Sequence, residues 1–312
     1  MSILFEPSSI KKMSLSNRWM RSATYDGMTD LSGKVSAAQI KLIDDLADGG
    51  VGLIISAIMY VHPSGQVSSF MNSIACDDMI DGLKKMTGAA HARGAKIAVQ
   101  LYHGGREARF VKTRRQLPLA PSVVTDDPYY RGPYREINED EIAEVIESFG
   151  RAAARAREAG FDAVQIHGAH GYLFSQFLSP FTNRRRDRWG GPLENRLRLH
   201  HDVYTAVRRQ TGDDYPILIK LGVQDGFDGG LTAAEGMKAA CILADIGYDA
   251  LEISSGVRGK IYEGTEYRTK INTPRRQGYF RNWATEIKKQ VRVPVIAVGG
   301  FRNRPTRRTL TA

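Results

Sequence analysis

The stretch Ala159–Ile166, AGFDAVQI, decides how this chain folds. A glycine ends an amphipathic helix, a turn carrying an aspartate follows, and a short apolar run begins. The same logic returns at Ile246–Ile253 (IGYDALEI) and at Arg93–Gln100 (RGAKIAVQ). Short β-branched runs placed between helices read as buried strands of a parallel sheet. Working outward, the candidate strands are 19–23, 51–58, 96–101, 163–167, 217–221, 250–253 and 295–298. Amphipathic segments alternate with them at 37–48, 79–93, 139–159, 193–210, 233–246 and 281–290. Asn138 precedes an acid-rich first turn, and Gly49, Gly94, Gly160 and Gly247 close helical stretches.

This alternation predicts an α/β fold, a (β/α)8 TIM barrel, whose usual size is about 250 residues. A doubly wound open sheet is the rival. It places a glycine-rich phosphate turn after its first strand, whereas residues 24–30 here read TYDGMTD. The seventh strand ends at Gly299–Gly300, and residues 301–312 (FRNRPTRRTLTA) carry neither a strand nor a helix pattern. The expected architecture is therefore a barrel domain over residues 1–303 that lacks the last β/α unit, with an irregular basic tail at 304–312.

Composition narrows the function. The 312 residues are 42% hydrophobic and 25% charged, ordinary for a globular chain. No run of about eighteen apolar residues offers a transmembrane helix, and the N-terminus has no secretory pattern. Cys76 and Cys241 are the only cysteines, which excludes a disulfide scaffold, a four-cysteine zinc site and a cysteine-held iron–sulfur cluster. That usage fits a reducing cytoplasm. The net charge of +10 raises nucleic-acid binding, but Arg302, Arg304, Arg307 and Arg308 crowd the tail and Arg184–Arg186 sit within a motif. The other basic residues are interleaved with acids, as on a solvated surface. Neither nucleic acid nor membrane is expected as a partner; a homo-oligomer stays open.

In such barrels, chemistry gathers where strands end at their C-termini. The third strand delivers Gln100 and the turn with His103 and Arg106; the fourth delivers His167, His170 and Tyr172; the fifth delivers Lys220. Two imidazoles can hold a carbonyl oxygen as charge develops on it, and a nearby phenol can supply a proton. They could also ligate a metal, though no third ligand is evident, or merely cap a strand. His103 alone reads as structural. A buried amide at Gln100 costs roughly 1–3 kcal/mol without a partner, and a buried ammonium at Lys220 needs an anionic or electron-rich one. Together they suggest a polar ring system across the barrel mouth. Gly299–Gly300 is compatible with a phosphate nest.

The run HGAHGYLFSQFLSPFTNRRRDRWGGPLENR (His167–Arg196) closely resembles the signature of the Old Yellow Enzyme family of FMN-dependent ene-reductases. NRWMRSATYDGM (Asn17–Met28), VGLIIS (Val51–Ser56), HPSG (His62–Gly65), VQLYHGGR (Val99–Arg106), LAPS (Leu119–Ser122) and VIAVGG (Val295–Gly300) match it in order, over about residues 3–303. The resemblance implies a flavin-binding barrel with FMN as cofactor and NADPH or NADH as reductant. Ser22, Ala23 and Thr24 would line the flavin ring, with Ile58 beside it. Gln100 would read the pyrimidine edge, and Lys220 would stand where relatives often place an arginine near N1 and O2. Gly256, Gly299, Gly300 and Phe301 fall in segments near the phosphate. His167 and His170 would grip the substrate's activating oxygen, and Tyr172 would donate the proton. Tyr25 stands where relatives place a cysteine or threonine that tunes the flavin. The Arg184–Arg186 run becomes a fold-defining turn. The implied reaction reduces activated C=C bonds of α,β-unsaturated carbonyl or nitro compounds, with FMN carrying the hydride.

Family members continue through an eighth strand. Back-translated with GC-rich codons and shifted by one base near Asn303, the tail can read Pro-Ala-Asp-Ala-Ala-Asn-Ala, a start for the expected helix, so a frameshift is one expected origin for this tail. Alternatives to a working reductase are an impaired remnant with weak or no flavin binding, and a metal-dependent barrel hydrolase. The loop at 118–133, with Tyr129 and Tyr130, is expected to cover the mouth.

Overall fold

The aspartate common to AGFDAVQI and IGYDALEI is a strand clamp. Asp162 accepts hydrogen bonds from the Ile97 N–H at 3.0 Å and from Lys96 Nζ at 2.7 Å, and its own N–H donates to the Ile97 carbonyl at 2.8 Å. Asp249 repeats this on Ile217, accepting at 2.9 Å and donating at 2.8 Å. Each clamp ties the start of one strand to the start of its neighbour. Gly160 and Gly247 make the turn just ahead, at φ of 86° and 123°, a region that side chains resist.

The computed structural model describes residues 2–109, 116–259 and 268–302. The barrel strands are β1 (Met20–Arg21), β2 (Leu53–Tyr60), β3 (Lys96–Tyr102), β4 (Ala163–Gly168), β5 (Ile217–Gly222), β6 (Ala250–Ser254) and β7 (Val295–Ala297). All run parallel, and each pairs with the next in sequence. The helices between them are α1 (Ala37–Asp48), α2 (Ile80–Ala92), α3 (Glu139–Glu158), α4 (Arg198–Thr211), α5 (Ala233–Ile246) and α6 (Arg281–Lys288). Capping boxes start α1 at Ser36 and α3 at Asn138, satisfying amide groups that helix ends leave open.

Outward strand residues such as Ile97, Val99, Val164, Ile166, Ile219 and Ile253 pack under the helices in the main core. An antiparallel hairpin, Ser8–Ile10 with Met13–Leu15, covers the other end of the sheet. Its Ile10, Met13 and Leu15 pack against Leu53, Ala98, Ala163, Leu218 and Ala250, the first inward residues of five strands. The N-terminal end of the cylinder is thus plugged.

The fold is TIM-barrel-like, with an open parallel sheet in which seven strands follow in sequence and a two-residue strand, Asn72–Ser73, pairs with the end of β2. Among the described residues the sheet ends at β1 on one side and β7 on the other, and β7 is only half-buried while β4, β5 and β6 are fully buried. The basic tail at 304–312 and the frameshift reading built on it lie outside the described residues. The segment expected as one helix at 193–210 breaks at Leu197 into Leu193–Arg196 and α4. The helix Leu173–Leu178 was not foreseen. All six of its residues are buried, so it lacks the amphipathic rhythm that marks a surface helix.

On α4, His200 is fully buried against Phe174, and neither ring nitrogen has a hydrogen-bond partner among the described residues. Burial pushes its pKa down to about 3. The folded state therefore keeps a neutral ring that the unfolded chain would protonate below about 6.5, and stability falls as pH drops from there toward 3. Replacing His200 with Leu should raise the unfolding free energy by about 1–3 kcal/mol at pH 7 by removing two unpaired polar atoms. It should also flatten the loss between pH 7 and pH 5. Urea unfolding at both pH values checks this; a less stable variant with the same pH slope contradicts it.

Candidate active site

Inside the cylinder, one layer above the apolar plug, the inward positions turn polar. Gln100 of β3, Gln165 of β4, Lys220 of β5 and Glu252 of β6 are all buried. They form one connected chain with Ser22, which follows β1. Gln100 Nε2 donates to Gln165 Oε1 at 2.6 Å, and Gln165 Nε2 donates to Glu252 Oε2 at 2.8 Å. Ser22 Oγ donates to Glu252 Oε1 at 2.6 Å, and Lys220 Nζ donates to Ser22 Oγ at 2.9 Å. Lys220 Nζ also lies 3.3 Å from Glu252 Oε1. The carboxylate can only accept, so it fixes the direction of both amides. Gln165 must turn its NH2 to Glu252 and its carbonyl to Gln100. Gln100 spends its NH2 on Gln165 and keeps its carbonyl oxygen at the end of the chain.

This corrects one step of the sequence argument. Burial of Gln100 and Lys220 does not by itself call for a bound heterocycle, because Gln165, Ser22 and Glu252 already answer them. Gln165 and Glu252 were missed, although a signal existed: each stands five residues after the glycine of its repeated phrase, at the same phase.

One layer higher are His167 and Ser254, with His170 and Tyr172 on the loop after β4. His167 Nδ1 accepts the Ala169 N–H at 3.3 Å, which leaves the proton on Nε2 and makes that atom a donor. His170, held at φ 63°, pairs its Nε2 with Ser254 Oγ at 2.7 Å. The two imidazoles stand nearly perpendicular, 4.9 Å between centroids. Burial lowers both pKa values well below the usual range; Lys220 and Arg258 lower them further, and for His170 so does His167. Tyr172 sets its ring edge-on to His167 at 5.0 Å and to Tyr102 at 4.6 Å, with the Arg258 guanidinium 5.8 Å from its centroid. Tyr102 and Arg258 are neighbours that sequence reading did not single out.

The other expected residues fall around the same end of the sheet. Ser22, Ala23 and Thr24 follow β1, and Thr24 is exposed there. Ile58 packs with Tyr60, Met71 and Tyr102, and Tyr172 lies against that cluster. Gly256 approaches Asp225 so closely that a Cβ would sit 2.3 Å from its Oδ1. Gly299 and Gly300 have φ of 134° and 68°, with Phe301 half-buried beyond them. Tyr25, Met28 and Phe70, on loops after β1 and β2, expose apolar surface at this end. Among the described residues, no three His, Cys, Asp or Glu side chains gather as a metal site.

Two further motifs are structural. His103 Nε2 lies 2.9 Å from Ser64 Oγ, and burial drops its pKa to about 3. Arg106 makes a buried ion pair with Asp127 at 2.6 Å, and Asp127 also accepts the Tyr129 and Tyr130 N–H groups. Tyr129 stacks on Phe227, 4.4 Å between centroids. The 118–133 loop is thereby fastened to the loops after β3 and β5. In the arginine run, Arg185 donates to Asp187 and to the Pro121 and Ile137 carbonyls, and Arg184 to Asp126. These contacts make the run a turn scaffold.

Because burial dominates their environment, His167 and His170 should take up a proton only below the ordinary imidazole value of 6.5, with neutral His167 protonated on Nε2. Ring-nitrogen NMR across a pH titration checks this; an imidazolium forming at either position at or above pH 6.5 contradicts it.

The sequence matches the model of the NADH:flavin oxidoreductase / NADH oxidase family over residues 3–311. It is 37% identical to the NADH oxidase of Thermoanaerobacter brockii over 96% of this chain, and 36% identical to the metal reductase of Desulforamulus reducens over 95%. The chain spans only 45% and 43% of those two relatives. Against the NADPH dehydrogenase of Clostridium acetobutylicum it is 35% identical, covering 95% of this chain and 83% of the relative. Among solved structures it resembles an old yellow enzyme homologue from Zymomonas mobilis, with a TM-score of 0.79 at 25% identity over 97% of this chain and 83% of that one. It also resembles a 2-naphthoyl-CoA reductase, with a TM-score of 0.84 at 29% identity over 94% and 46%. This chain belongs to the NADH:flavin oxidoreductase / NADH oxidase family, the family of Old Yellow Enzyme.

Proposed function

We propose that this chain binds FMN at the C-terminal mouth of the sheet and uses NADPH or NADH to reduce activated C=C bonds of small α,β-unsaturated carbonyl or nitro compounds. The observation that carries the reading is the stacking of two layers on one axis: a directed polar chain below, two buried imidazoles beside a phenol above. The donor set suits an isoalloxazine edge. Gln100 keeps a carbonyl oxygen for an N–H, and Lys220 has a third ammonium hydrogen beyond Ser22 and Glu252. Gly299 and Gly300, in left-handed backbone, suit a phosphate's close approach. FMN, when bound, supplies the hydride chemistry.

The protein's own groups supply position and charge. The Nε2–H of neutral His167 donates to the carbonyl or nitro oxygen, and His170 offers a second ring N–H once it exchanges Ser254 for the substrate. A neutral donor is the better choice here, since it holds the oxygen without a charge that burial would penalise. The Tyr172 hydroxyl donates the proton to the α carbon. The aromatic loop around Tyr129 and Phe227 limits water at the mouth.

The half-buried edge at β7, beside the glycine pair, favours one second reading: a family member whose grip on the phosphate is weak. We place the protein in the cytoplasm on its cysteine usage; no helix among the described residues is long and apolar enough to cross a membrane.

A visible spectrum of the purified protein, with and without added FMN, separates the two readings. Flavin absorption that survives desalting supports the reductase; a protein that stays colourless with saturating FMN sinks it. In Tyr172→Phe, reduction by NAD(P)H should proceed within about threefold of wild type while enone turnover falls at least tenfold, consistent with loss of one general acid. Anaerobic stopped-flow measurement of the two half-reactions checks this, and equal losses in both contradict the donor role.

A further inference from the structure

The interior chain contains a carboxylate that the proposed reaction does not use. Glu252 is fully buried on the inward face of β6, and its two oxygens take hydrogen bonds from Gln165 and Ser22 while Lys220 lies at 3.3 Å. A residue that only filled space would not hold three polar side chains from three other strands or strand ends. Its presence has two physical effects. It opposes the charge of Lys220, so the ammonium meets a ligand as one half of a pair rather than as a lone cation. Through Gln165 it also forces Gln100 to present an acceptor.

We propose that Glu252 is a positioning residue that sets the balance between oxidised and reduced FMN, by offsetting Lys220 and by fixing the direction of the Gln165–Gln100 amides. The inference rests on the FMN reading above. Two-electron reduction places negative charge on the flavin edge near a cation, and an unopposed cation would favour the reduced form. Glu252 restrains that preference. Coupling at this range inside a barrel is large, because buried charges are weakly screened.

The test is the midpoint potential of FMN bound to the wild-type protein and to two variants, by anaerobic spectroelectrochemical titration. Glu252→Gln keeps the shape, removes the charge and allows the amides to reverse. Its preference for reduced over oxidised FMN should rise at least tenfold, equal to a positive shift of about 30 mV for a two-electron couple. A change below threefold, or in the negative direction, overturns the proposal. The double variant Lys220→Gln with Glu252→Gln carries no buried charge, so it remains informative if the single variant does not fold. If the two charges offset each other, its preference stays within threefold of wild type. If Lys220 acts unopposed, the preference falls at least tenfold, and the proposal fails. Wild-type protein that takes up no FMN fails the underlying reading instead, and the two failures are thereby told apart.

Discussion

A lysine and a glutamate enclosed inside the cylinder constrain everything built above and below them. Taking two such charges out of water costs several kcal/mol each, and the cost is offset only where the remaining hydrogen bonds are made as well. Ser22 and Gln165 make them, with Gln100 bonded in turn to Gln165, and these residues sit on or just after different strands. The strand phases of β3 to β6 are therefore tied together. A slip of one residue in β6 would push Glu252 under the helices and turn Leu251 toward the axis. The apolar plug below and the imidazole layer above inherit their positions from this phase.

Most of the architecture was legible because each strand announces itself in the same way. Gly160 and Gly247 end helices, Asp162 and Asp249 follow, and a buried run starts at once. The spans of α1 and α5 came through unchanged, since Ser36 and Thr232 cap them and Gly49 and Gly247 close them. Other features had no local signature. Leu173–Leu178 is buried all round and lacks a period to read. The break at Leu197 falls inside an unbroken amphipathic pattern.

The site was legible by kind more than by contact. His167, His170 and Tyr172 do come together, but the proton position on His167 follows from the Ala169 amide, which no sequence pattern reports. The partner of His170 is a serine from β6, two strands away. Taken singly, Gln100 and Lys220 each ask for a ligand. Their true neighbours lie 65 and 32 residues away, at Gln165 and Glu252, where strand register alone brings them into reach. A buried polar side chain points to a ligand only after its protein partners have been counted.

The hairpin at the closed end carries a consequence for how the molecule is made. Ile10, Met13 and Leu15 leave the ribosome well before their packing partners, which extend to Leu218 and Ala250. Until translation has passed β6, this greasy N-terminal segment has only part of its seat, and contacts between such distant residues form slowly. Synthesis must therefore run from residue 15 to residue 250 with this hydrophobic anchor incompletely sheltered, a stage at which a chaperone's hold would matter most.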